Sequence, residues 1–209
     1  MGLDWNPLPK PKPGYEEEFA KLLRILSDGG GWRRKSRQAR FEAISINAYE
    51  TLGAPVVGRS AEANKWALDL YEERKPPVSK GKWLESLHGF YVIPLVPACD
   101  GIPYYSNGSP GGYVEPFAFR GKFLDECEDI LGTSLLGSAY ETKLADETKI
   151  YANHLFESVQ RCVEQSGIAV PSQTPDNPDC LEFRLHVVDA AARWCRWWSE
   201  RGHGLEAYF

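Results

Sequence analysis

The chain of 209 residues has no apolar run approaching the roughly 18 residues a helix needs to cross a bilayer. It has no C-x-x-C pair, and its five cysteines are an odd number. A disulfide framework is therefore not indicated, and reduced, mostly buried thiols are the expectation. Nor is there a basic excess: 24 Lys and Arg against 29 Asp and Glu give a formal net charge of -5. That balance argues against a dedicated nucleic-acid binder. Gly29-Gly30-Gly31 is followed by Trp32 instead of the G-K-[ST] of a phosphate-binding loop. No G-x-G-x-x-G follows a strand, and neither G-x-S-x-G nor H-E-x-x-H occurs. The first residues have no basic and apolar run of signal-peptide type, and Asn6 stands where a myristoylation pattern wants Ser or Thr. A cytoplasmic protein that binds no membrane is the expectation.

What the chain does contain is aromatic area. Seven Trp, ten Tyr and nine Phe are too many for a solvated coil, so a well-filled core is expected. Residues 1–13 carry Pro7, Pro9, Pro11 and Pro13, whose rings remove donors and favour extended backbone. They read as an extended arm before one helical domain over 14–209. In that domain Tyr15, Phe19, Leu22, Leu23 and Leu26 mark a first helix face. A second helix is expected over Ser36–Leu52. A third follows an N-cap at Ser60 and carries Ala63, Trp66, Ala67, Leu70 and Tyr71. Lys82–His88 reads as one or two further turns.

Residues 89–120 hold five prolines and read as a long irregular segment, with one small hairpin between β-prone pieces at Phe90–Ile93 and Tyr113–Phe119. Three more helices are expected. One is marked by Leu124 to Leu131, one runs over Ser138–Gln165, and one carries Leu181, Leu185, Val188, Ala192 and Cys195. The fold class is thus mainly α, a single-domain bundle of about six helices.

Four features bear on function. The loop from Cys99 through Asp100 to Tyr104, Tyr105, Ser106 and Asn107, with Tyr91 and Tyr113, mixes thiol, carboxylate, hydroxyl and amide groups as a ligand pocket would. Cys99 or Asp100 with His88 or His154 would be the acid–base set of an enzyme centred there. The bland reading is an aromatic-anchored loop with turns at Asp100-Gly101 and Asn107-Gly108. Second, Trp32, Arg33, Arg34, Arg37 and Arg40 form the basic cluster, suited to a small anionic ligand with Trp32 stacking, or else a solvated helix start.

Third, Trp197 beside Arg193 falls on the polar side of the last helix, the position of an interface anchor for a protein partner or homodimer. Its alternative is cover by the tail 202–209. Fourth, His154-x-x-Glu157 and His186-x-x-Asp189 have chelating spacing, but the order is the reverse of the Glu-x-x-His of dinuclear bundles. His154 projects to the edge of its apolar stripe with Glu157 further out, and His186 and Asp189 project to the polar face, so no metal and no cofactor is expected. With no catalytic motif intact, a non-catalytic binding or interaction protein is favoured over an enzyme of unassigned reaction.

Overall fold

The helix signals in the sequence become eight α-helices among the described residues of the computed structural model, which describes residues 3–27, 34–96 and 119–209. The fold is mainly α, with two small two-stranded sheets. In chain order the elements are β1 (Asp4–Pro7), β2 (Lys10–Pro11), α1 (Glu16–Ser27), α2 (Arg34–Ala43), β3 (Ser45–Ile46), α3 (Ala48–Thr51), α4 (Ala61–Arg74), α5 (Lys80–Ser86), α6 (Glu128–Ser138), α7 (Ala145–Ser166), α8 (Leu181–Ser199) and β4 (Leu205–Tyr208). The count exceeds six for two reasons. The helix expected over Ser36–Leu52 is broken into α2 and α3, and Lys80–Ser86 forms a helix of its own. The chain resolves into two compact units, one within 1–48 and 100–209 and one within 49–99.

The larger unit is built on α8. Thirteen of its nineteen residues are buried, so it is a core helix and not a surface helix with one apolar stripe. Its most extensive partner is α7. α7 buries Tyr151, Ala152, Leu155 and Val159, four positions of the expected stripe or its immediate flank. It starts at Ala145 because Glu147 accepts a hydrogen bond from the Leu144 amide at 2.8 Å, and it ends at Gly167, whose φ of 72° only glycine adopts without strain. Residues 139–144, expected to be helical, instead carry Lys143 to the chain end. Lys143 and Leu205 exchange backbone hydrogen bonds of 2.8 and 2.9 Å.

The proline-bearing first residues supply core. β1 pairs antiparallel with β4, with Trp5 opposite Ala207. Pro7 and Pro11 are the last residues of their short strands, where a missing donor is tolerated. Trp5 is fully buried against Phe119, Tyr151 and Trp194 with ring centroids 5.1 to 6.0 Å apart, and its indole N–H donates to the Ala139 carbonyl at 2.8 Å. β2 pairs with β3, and this breaks the expected second helix. The Lys12 amide takes the Ile44 carbonyl at 2.8 Å, while Ile44 joins Leu8, Phe19 and Phe41 in a buried cluster.

The smaller unit packs α4 and α5 over Val57, Ala63, Ala67 and Val92, with Trp66, Leu84 and Leu87 partly buried around them. Ser60 caps α4 as expected, accepting from the Ala63 amide at 3.4 Å. Phe90–Ile93 forms no strand of its own: Tyr91 makes one bridge to Val56, and Ile93–Leu95 is a 3-10 turn.

Candidate functional site

A cleft of 820 Å³ lies in the larger unit between α6 and α7. α6 is kinked at Gly132 (φ 70°, ψ 158°), and it supplies Leu131 before the kink and Ser134, Leu135 and Ser138 after it as one wall. The other wall is a straight row on α7: Glu147, Ile150, His154, Glu157, Arg161 and Glu164. These positions alternate in steps of three and four, the 3.5-residue period at which a second helix can follow the seam. At 1.5 Å per residue the row is about 26 Å long. Ile150 is its one apolar member and is 56% exposed. The buried stripe of α7 packs on α8, Trp5 and α6, and this row lies beside it on the exposed side of the helix.

The titratable groups at the floor of the cleft hold the structure together. Lys143 is 6% exposed. Its ammonium donates to the Ser138 carbonyl and to the Glu141 carbonyl at 3.1 Å. It pairs with the Glu141 carboxylate at 3.3 Å and sits 4.8 Å from the Tyr151 ring centroid. Burial pushes its pKa below the ordinary lysine range, while Glu141 works the other way. With these contacts the amine works as a positively charged cap on the last turn of α6, where the helix dipole favours a cation. Tyr151 donates to the Leu135 carbonyl at 3.3 Å, and burial raises its pKa. Arg161 donates to the buried Ser158 hydroxyl at 2.9 Å.

The residues singled out in the sequence are scattered. Cys99, Asp100, Tyr104, Tyr105, Ser106, Asn107, Tyr113, Trp32 and Arg33 lie outside the described residues, as does the hairpin expected between Phe90–Ile93 and Tyr113–Phe119. His88 and Tyr91 belong to the smaller unit, where His88 is exposed. Tyr91 stacks on Tyr49 at 5.3 Å and donates to Glu50 at 3.2 Å; desolvation, with Glu50, raises its pKa. In the basic cluster Arg40 is committed to Glu18 through two hydrogen bonds of 2.8 and 2.7 Å and lies 5.2 Å from the Tyr15 ring centroid. Arg34 is exposed on the rim of a concavity of 460 Å³ that Glu42 shares, and Arg37 is half-buried. A carboxylate in that lining weakens its fit to an anion.

Two placements correct the projection of α8. Trp197 is not on a polar face: it is 9% exposed, edge-on to Trp198 at 4.7 Å, with the Arg201 guanidinium 3.6 Å above its ring. Arg193 is bound to Asp189 at 2.8 Å one turn away. His186 is also buried, at 6% exposure, because the link 171–178 folds over it. Its ring nitrogens meet the Thr174 hydroxyl at 3.1 Å and the Pro171 carbonyl at 3.3 Å. His154 is exposed in the α7 row. Among the described residues no three His, Cys, Asp or Glu side chains gather as metal ligands would. The buried thiols of Cys127 and Cys195 are inert: desolvation pushes Cys127 up to about 12 and raises Cys195 as well, and only the thiolate is nucleophilic.

Of the row itself the sequence reading caught His154 and, in the chelating pair, Glu157. It missed Glu147, Ile150, Arg161 and Glu164. One signal was there: Ile150 lies off the core stripe yet in step with a second heptad row. No helix among the described residues is long and apolar enough to cross a membrane. No protein-family model, curated protein or solved structure matches the chain.

Proposed function

We propose that this is a non-catalytic interaction protein whose α6–α7 cleft receives an α-helix from another protein. The observation that carries this reading is the straight row from Glu147 to Glu164, with an exposed isoleucine in it, facing a second helical wall across open space. A compact metabolite needs a closed pocket that surrounds most of its surface. A seam about 26 Å long with a 3.5-residue period matches the helix-in-groove mode of recognition. The non-catalytic part is supported by the state of the reactive groups: Lys143 and Tyr151 are engaged with backbone carbonyls, and the buried thiols are held neutral. The free cysteines Cys127, Cys162, Cys180 and Cys195 favour a reducing, cytoplasmic setting.

The test is a photo-reactive amino acid placed at His154 in the living host, with a control at the exposed Lys21 of α1. The expected outcome is a discrete protein adduct at 154 whose attachment point maps to a helix-forming segment, and which Ile150→Glu removes. Adducts that are equal at 154 and 21, or insensitive to Ile150→Glu, would overturn the reading.

A further inference from the structure

The occupant of the cleft is narrowed by charge. Along the α7 row three carboxylates, Glu147, Glu157 and Glu164, stand against one guanidinium, Arg161. Lys143 does not offset them, because its charge is buried and matched by Glu141. Glu147 has one oxygen on the Leu144 amide, and Glu164 accepts from the Gln160 side chain at 3.0 Å. Glu157 is exposed with no hydrogen-bond or ionic partner among the described residues. The apolar side chains of the cleft are Leu131 and Leu135 of α6 and Ile150 of α7, with the Leu135 carbonyl bonded to Tyr151.

A second copy of this chain fits that row poorly. Laid antiparallel on the same face, another α7 would set Glu147 against the other copy's Glu164 at both ends, and Ile150 against Arg161. Laid parallel, it would set each glutamate against itself. Like charges held opposite each other across a helix seam are unfavourable and serve to exclude a partner. We infer that the cleft takes a basic amphipathic helix of a different protein, one that seats an apolar side chain on Ile150 and the α6 leucines and places Lys or Arg opposite Glu157 and Glu164. This rests on the docking reading above and gives it a partner class.

The probe is a pair of labelled helical peptides of about three heptads, identical in their leucine positions, one carrying lysines along the flank and the other glutamates. Each is titrated against the full chain by fluorescence anisotropy. The lysine peptide is expected to bind at least about tenfold tighter than its twin, with the gap narrowing as salt is raised. Glu157→Lys with Glu164→Lys, both on the exposed surface, should invert the preference. Equal binding of the two peptides, weakened alike by Ile150→Glu, would overturn the basic-partner inference and leave the docking cleft standing. Binding that ignores Ile150→Glu, or no binding by either peptide, would overturn both.

Discussion

In the larger unit the big aromatic side chains meet each other in the interior. Trp5, Trp194 and Trp198 are fully buried, and Phe119 and Tyr151 nearly so. In residues 49–99 the fully buried side chains are small, Val57, Ala63, Ala67 and Val92, and the aromatics are left at the margin. Trp66 stacks on Phe90 at 6.2 Å, and Phe90 is 50% exposed. Both regions are aromatic-rich in sequence, so composition does not separate them. They differ in how chain closure is used. The larger unit brings its first and last residues together as β1 and β4 over α8, and this covers a face that helices alone would leave open. The lesson is that closure of the β1–β4 pair over α8 adds long-range burial to the α7–α8 packing that frames the α6–α7 cleft.

The sharpest way to break the comparison is to remove one tryptophan from each region. Trp194→Ala should cost about 4–5 kcal/mol, through lost transfer energy and the cavity left among Trp5, Phe119 and Trp198. Trp66→Ala should cost only about 1–2 kcal/mol, because that ring is half-buried. Guanidinium titrations followed by circular dichroism read both, and equal costs would erase the distinction.

Acid provides the next test. His203 is fully buried, and its Nδ1 must donate the 2.8 Å hydrogen bond to the Leu8 carbonyl, since a carbonyl only accepts. Desolvation drives its pKa down to about 4, with Lys10 adding to that and the Leu8 bond opposing it. A histidine held neutral in the fold binds its proton more readily when unfolded. Its contribution is therefore complete above about pH 6.5 and is lost as pH falls toward 4, amounting to about 3 kcal/mol. His203→Gln should flatten that part of the stability–pH curve, whereas replacing His88, exposed in the smaller unit, should leave it in place.

A pair of glycines gives the smallest contrast. A Cβ on Gly204 would overlap the Lys143 carbonyl, which is fixed by the Leu205 pairing, so Gly204→Ala should cost about 2–3 kcal/mol. Gly58 has a φ of 85°, and there a Cβ would meet only the exposed His88 ring, which can swing away. Gly58→Ala should cost about 1–2 kcal/mol, mainly as backbone strain. Thermal melts of the two variants rank them.

Much of the fold was legible wherever a helix is set by its own neighbours: α1 by the acidic first turn and the Phe19 stripe, α4 by the Ser60 cap, and α8 by its apolar run. Legibility failed where distant chain decides. Phe41, Ile44 and Ala48 keep helical spacing, so only the pairing with Lys10–Pro11 breaks that helix. Trp197 and His186 look solvent-facing on a helical wheel that assumes one covered side, whereas α8 is covered on most of its surface. The cleft was the least legible, because its row is polar. Only Ile150 marks it, and a single aliphatic residue on a charged face carries little signal until the opposite wall of α6 is known.

The most direct measurement is the mapping of backbone amide NMR shifts on adding the lysine-bearing helical peptide to the full chain. The shifts should concentrate on residues 131–138 and 147–164 and vanish in Ile150→Glu. Shifts centred instead on the exposed Phe90 and its half-buried neighbour Trp66 would contradict the docking account.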